Sequence, residues 1–257
     1  MKYLSQLTPA EVYILTKEKI THQELLKITF IDLLFKQVLR TFEIQRQPHI
    51  RQAIQTYQYI GVGKNLKNYQ SLNHEKFFLS TFEKDTEIEM LFRNLVKIGY
   101  QKSRTLANFK NELIKTPTLK KCFSQNVFQR IFGSYSFTEY GIEVKQKVEK
   151  EIKNLNLELS TLNNIENLKV IELIKVISAN IFLLENIDYE LLNQIDVDLA
   201  AEMNRKDPNF DGSGCSGCGW NFDSYSSNFD SGCSSDSGCG GNSGCSGCGG
   251  CGGCGGD

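Results

Sequence analysis

Eight cysteines between Cys215 and Cys254 are the residues of this chain whose type and spacing could do chemistry. Cys215 and Cys218 form one C-x-x-C pair, Cys245, Cys248, Cys251 and Cys254 form three overlapping ones, and Cys233 and Cys239 sit at longer spacing between them. A two-residue spacer lets two thiolates converge on one ion, and glycine spacers relieve the steric objection to the tight turn this requires. The segment contains no His, so its soft donors select Cu(I) or Zn(II) over hard cations. The same thiols are equally suited to covalent alteration by a cysteine-modifying maturation enzyme. A bacterial ferredoxin-type cluster is disfavoured, because the C-x-x-C-x-x-C-x-x-x-C-P spacing is absent. A thiol–disulfide enzyme built on Cys215-Ser216-Gly217-Cys218 would need a helix N-terminus to lower a thiol pKa, and the surrounding sequence offers none.

These cysteines belong to a tail, Asp207 to Asp257, that holds sixteen of the 21 glycines and not one Ala, Val, Leu, Ile or Met. Ordering each residue costs about 1 to 2 kcal/mol of backbone entropy. Only Phe210, Trp220, Phe222, Tyr225 and Phe229 provide large apolar groups to offset that cost. The expectation is a disordered Gly/Ser/Cys tail that becomes ordered through metal, crosslinking or a partner. One triplet occurs three times, as Asn209-Phe210-Asp211, Asn221-Phe222-Asp223 and Asn228-Phe229-Asp230. An aromatic between polar residues makes a short linear docking motif, although repeat expansion in a biased segment would give the same pattern.

Residues 1–206 are rich enough in Leu, Ile, Phe and Tyr to bury a core. The tail carries six Asp and no Lys or Arg, which leaves 29 basic and 24 acidic side chains in the body. An excess of five argues against nucleic acid as the partner, while permitting a weak, salt-screened attraction between body and tail. Met1 to Pro9 shows no apolar signal region, and the uncharged apolar run from Val176 to Leu184 is far below the roughly 20 residues of a membrane span. The reading is a cytoplasmic protein without a membrane span, whose tail thiols stay reduced, metal-bound or modified.

The body must position this tail, and its helix starts are legible. Thr8-Pro9-Ala10-Glu11 is a capping box with proline in the first turn and predicts a helix over 9–16; Thr21-His22-Gln23-Glu24 predicts a second over 22–36. Alternation in Val38–Ile44 and β-rich Gln55–Val62 predicts a hairpin with Pro48 in its loop. Thr86-Glu87-Ile88-Glu89 predicts a helix over 87–98 stopped by Gly99, and another is expected over 103–115. Val127–Phe132 reads as a short strand, Gly133–Ser136 as a turn, and 138–159 as a long charged helix. Residues 165–184 and 188–205 are expected to form a helical hairpin ending at Asp207-Pro208.

Two successive sets of helices and hairpin suggest an α-rich α+β fold. It would comprise tandem winged-helix-like modules over 1–70 and 71–160, the helical hairpin over 161–206 and the tail over 207–257. Residues 7–44, LTPAEVYILTKEKITHQELLKITFIDLLFKQVLRTFEI, resemble the winged-helix units of an uncharacterised bacterial family whose members end in Gly/Cys-rich tails. Phe137–Glu151 and Val176–Leu199 are similar to that family's closing elements. The resemblance spans most of the chain and implies no established activity. The resemblance implies that many members carry a transmembrane segment, of which this sequence shows none, and that some are encoded beside oxidative maturation enzymes that modify cysteine-rich peptides.

Other body residues offer less. His22, His49 and His74 lie at no ligand spacing to one another, and His22 reads as an exposed first-turn residue. Gly61-Val62-Gly63-Lys64 lacks the spacing of a phosphate loop. Cys122 reads as a small buried hydrophobe, and Glu149, Glu151 and Glu158 as a solvated helix face with Lys147 paired to Glu151. The expected function is a non-enzymatic carrier or precursor-like protein whose tail binds soft metal or is modified, with the body as recognition module. The alternative is a winged-helix DNA-binding regulator with a metal- or redox-sensing tail. It is weakened because helix 22–36 offers only Lys27 and Lys36 as basic groups.

Overall fold

A computed structural model describes residues 1–47, 53–161, 173 and 176–184. The architecture is mixed α+β. Helix α1 (Pro9–Thr16) starts as its sequence dictates: Thr8 Oγ1 accepts from the Glu11 amide, and the Thr8 amide donates to Glu11 Oε2 at 2.8 Å. Helix α2 (His22–Phe35) is capped by Thr21, whose hydroxyl accepts from the Glu24 amide. Its last turn closes with Gln37 at φ 53° and the Val38 amide bonded to Leu33 O at 2.9 Å.

The hairpin follows. Strand β1 (Leu39–Arg46) pairs antiparallel with β2 (Gln55–Val62), Leu39 opposite Val62 and Arg46 opposite Gln55. Pro48 lies outside the described residues. Gly63 continues the pairing by donating to Val38 O, and a Cβ there would stand 2.1 Å from Gln37 O. This close approach accounts for the glycine at position 63.

After the short helix α3 (Lys76–Leu79), the sequence expectation needs correction. Residues 87–91 are not helical: Asp85 Oδ1 takes the Glu87 amide at 2.9 Å, and β3 (Met90–Leu91) joins the sheet opposite Tyr59 and Ile60. The sheet order is therefore β1-β2-β3. Helix α4 runs Phe92–Ser103, so Gly99 lies inside it rather than at its end. A Cβ on Gly99 would meet the Phe78 ring at 2.3 Å, and the glycine is there to let that ring approach. Helix α5 is shorter than the sequence suggests, Leu106–Leu113, because Thr105 caps it through the Asn108 amide.

The second correction concerns 127–132. Two-residue strands β4 (Phe123–Ser124) and β5 (Ser136–Phe137) pair with each other, and helix α6 (Val127–Phe132) stands between them where a strand was expected. Asn126 and Gln129 form a reciprocal capping box, and Gly133 at φ 62° closes the helix. The long helix α7 (Glu139–Thr161) then follows as expected. Residues 173, 176 and 177 are α-helical, 178–183 form a 3₁₀ helix instead of the α-helix expected there, and the rest of the helical hairpin apart from residue 184 lies outside the described residues.

The core is centred on α2. Leu25, Leu26, Phe30 and Leu33 are fully buried, and the Phe30 ring meets Phe78 and Phe92 edge-on at 5.6 and 5.1 Å. The same buried cluster includes Leu4, Val148, Leu155 and Ile181. Among the described residues no helix is long and apolar enough to cross a membrane.

Candidate functional site

The tail sites named from sequence, Cys215 through Cys254 and the three Asn-Phe-Asp triplets, lie outside the described residues. What the structure describes is the body, in which two sets of side chains stand out, polar groups turned inward and apolar groups left outside.

The inward set was not anticipated. Glu11 is buried, and beyond its capping role its Oε1 accepts from Thr116 Oγ1 at 2.5 Å and from Thr118 Oγ1, which ties α1 to the turn after α5. Asp32, on the apolar α2, is paired with Lys36 one turn later at 2.6 Å. Lys36 also lies 3.6 Å from Glu75 and donates to Tyr69 OH, which itself donates to Glu75 Oε1 at 2.7 Å. Burial pushes the Asp32 carboxyl up to about 6 against the opposing pull of Lys36, with Glu75 and Glu11 adding to the rise. The carboxylates in turn hold the Lys36 ammonium above its ordinary range against the opposing effect of burial. Tyr69 is raised by burial and by Glu75. Glu11 ties α1 to Thr116 and Thr118, and Lys36 at the end of α2 bridges Asp32 to Tyr69 and Glu75, so the network is a structural clamp.

Two of the histidines are also turned inward. His22 is half-buried rather than exposed: Nε2 lies 2.7 Å from Ser103 Oγ, the ring rests 4.7 Å from Tyr100, and burial lowers its pKa. His74 is fully buried, pushed down to about 3 by burial and then by the Lys36 charge, and is therefore neutral. His49 lies outside the described residues. Cys122 is buried as expected, its thiol raised by burial. Glu151 is a further correction. It accepts from the Tyr3 and Leu4 amides instead of pairing with Lys147, which reaches Glu143 one turn back. Among the described residues no group of three or more His, Cys, Asp or Glu could hold a metal ion.

The outward set is concentrated on α6. Val127, Phe128, Ile131 and Phe132 are 74, 74, 67 and 78 % exposed, and no residue of this helix is buried. Each such side chain gains about 1.5 to 3 kcal/mol when fully buried, so four together on one short helix are the reverse of what folding alone favours. The helix is held by its caps and by its mounting. Asn111 Nδ2 donates to Arg130 O, Gln125 Nε2 to Ser134 O, and Gly133 sits so close to Ala107 that a Cβ would meet it at 2.4 Å. The surroundings are basic. Residues 104–138 contain Arg104, Lys110, Lys115, Lys120, Lys121 and Arg130 against the single acid Glu112, which Lys115 engages at 2.6 Å.

A sequence search for this face would have needed the Asn126-x-x-Gln129 box and the Gly133 stop, which together outvote the β-forming residues between them. No protein family, curated protein or solved structure matches the chain, and the resemblance to the tail-bearing bacterial family gains nothing from these comparisons.

Proposed function

We propose that the chain is a non-enzymatic carrier or precursor-like protein whose working part is the Cys/Gly-rich tail. Its thiols, Cys215, Cys218, Cys233, Cys239, Cys245, Cys248, Cys251 and Cys254, either bind Cu(I) or Zn(II) or are altered by a partner maturation enzyme in the cytoplasm. The observation that carries the reading is the concentration of eight of nine cysteines, at C-x-x-C spacing, in the one segment that has no aliphatic residues to bury. In support, the titratable groups gathered inside the body, Glu11, Asp32, Lys36, Tyr69 and Glu75, are engaged in bonds that hold elements together.

In this reading the body is the recognition module. Its two winged-helix-like units would be α1 and α2 with the β1–β2 hairpin, then α4 and α5 with the β4–β5 pair. Their use on DNA is disfavoured because α2, the helix that would enter a groove, buries eight of its fourteen residues.

The test is a comparison of the full chain with a variant in which all eight tail cysteines are serine. Bound metal or added covalent mass present in the wild type and lost in the variant supports the reading. Metal or mass retained by the variant places the chemistry elsewhere.

A further inference from the structure

We propose that the apolar face of α6 is the docking site for the chain's own tail, which it holds through the phenylalanines of the Asn-Phe-Asp triplets. Two independent features of the molecule match. On the body, Val127, Phe128, Ile131 and Phe132 present an uncovered apolar face, with Arg130 exposed on the same helix. On the tail, each triplet places a phenylalanine directly before an aspartate, in a segment with no aliphatic side chain and no positive charge.

Charge selects the pairing further. The basic excess of the whole body is five, and residues 104–138, which carry α6 and its mounting, have that same excess by themselves. The tail's six aspartates are the complementary charge, and half of them are the Asp211, Asp223 and Asp230 of the triplets. Near the helix, the Lys110 ammonium sits 5.7 Å from the Tyr135 ring, and burial lowers its pKa, so an added carboxylate would find it already partly desolvated. A phenylalanine on the apolar face with its aspartate toward Arg130 and the neighbouring lysines satisfies both groups at once.

The chain is long enough. About 25 residues separate Leu184, the last described, from Asn209. Extended, they reach about 80 Å, which exceeds the roughly 40 Å diameter of a body this size. Tethering makes the encounter intramolecular, so weak individual contacts and three copies of the motif suffice. The consequence would be that a held tail keeps its cysteines near the body until a modifying enzyme or a metal donor displaces the triplets. The inference extends the carrier reading without depending on it, since no docking residue is a cysteine.

Trp220 is the chain's single tryptophan and directly precedes the Asn221-Phe222-Asp223 triplet, so its fluorescence reports docking in the intact protein. The experiment measures Trp220 emission and acrylamide quenching in the full chain, in Phe128→Ser/Phe132→Ser, and in Phe210→Ser/Phe222→Ser/Phe229→Ser. The expected result is a blue-shifted, shielded tryptophan in the wild type at every protein concentration. In both variants it becomes solvent-like, while the body's far-UV circular dichroism is unchanged because Phe128 and Phe132 are exposed. Any of three results overturns the proposal. Trp220 could already match the urea-unfolded chain. It could be shielded but indifferent to the α6 substitutions, as when residues 185–206 cover the helix. Its shielding could grow with protein concentration alongside self-association, which would make a second copy the occupant. Loss of metal binding or of cysteine modification with Trp220 still shielded would sink the carrier reading alone.

Discussion

Helices α2 and α6 are both rich in apolar side chains and end in opposite environments. Helix α2 buries Leu25, Leu26, Phe30 and Leu33 and turns Asp32 inward, paired with Lys36 at its C-terminal cap. Helix α6 leaves Val127, Phe128, Ile131 and Phe132 outside and, among the described residues, is held by its caps and its mounting. The difference shows that the body completes its own core around α2, and that α6 supplies apolar surface the described body does not use. The tail extends the contrast, since it has thiols and aromatics with no aliphatic surface of its own. On this account stability resides in the clamp around α2, and function in α6 and the tail.

Substitutions can break that comparison, and the largest effects should fall on the clamp. Lys36→Met leaves Asp32 and Glu75 buried without their cation and should cost about 3 kcal/mol or more in urea unfolding. A cost below 1 kcal/mol would show that the clamp is not structural. Glu11→Ala deprives the Thr8 amide and the Thr116 and Thr118 hydroxyls of their acceptor and should cost about 2 to 3 kcal/mol. An unchanged midpoint would remove Glu11 from the account.

Acid should reach the same region through His74. Its pKa is 6.5 when unfolded and about 3 in the fold, so unfolding takes up a proton below about pH 6.5. The stability conferred by the neutral ring is thus lost as pH falls from about 6.5 toward 3. Asp32, raised from 3.8 to about 6, opposes this: its contribution improves as pH falls through that interval. A His74→Gln variant should therefore lose less stability than the wild type between pH 6.5 and 4, and parallel curves would contradict the assignment.

The smallest effect is expected at the other end of the comparison. Replacing all eight tail cysteines by serine should move the body's unfolding free energy by no more than about 0.5 kcal/mol. A large fall would make the tail part of the fold.

What the sequence showed of this fold follows the range of the forces involved. The start of α1 was legible because Thr8, Pro9 and Glu11 decide it within one turn, and the β1–β2 hairpin because alternation is local. The helix expected over 87–98 was displaced because Met90 and Leu91 are claimed by β2, a partner 30 residues away. In α6, β-forming side chains were outvoted by a cap at each end. The clamp was hidden for a related reason. Glu11 was accounted for by its cap, and nothing near it in sequence announces Thr116 and Thr118, although Asp32 and Lys36 at i,i+4 in an apolar helix were a readable sign of a buried pair. The tail cysteines were legible throughout, because spacing is itself a property of sequence.

The central claim, that the tail cysteines are the working groups, is tested most directly by the intact mass of the protein from its native host, first under native conditions and then denatured with a chelator. The account predicts either a covalent mass change mapping to Cys215–Cys254, or a sequence-true denatured mass with thiolate-bound ions present natively and lost on chelation. A sequence-true mass under both conditions, with no ion bound and all tail thiols free, would contradict it.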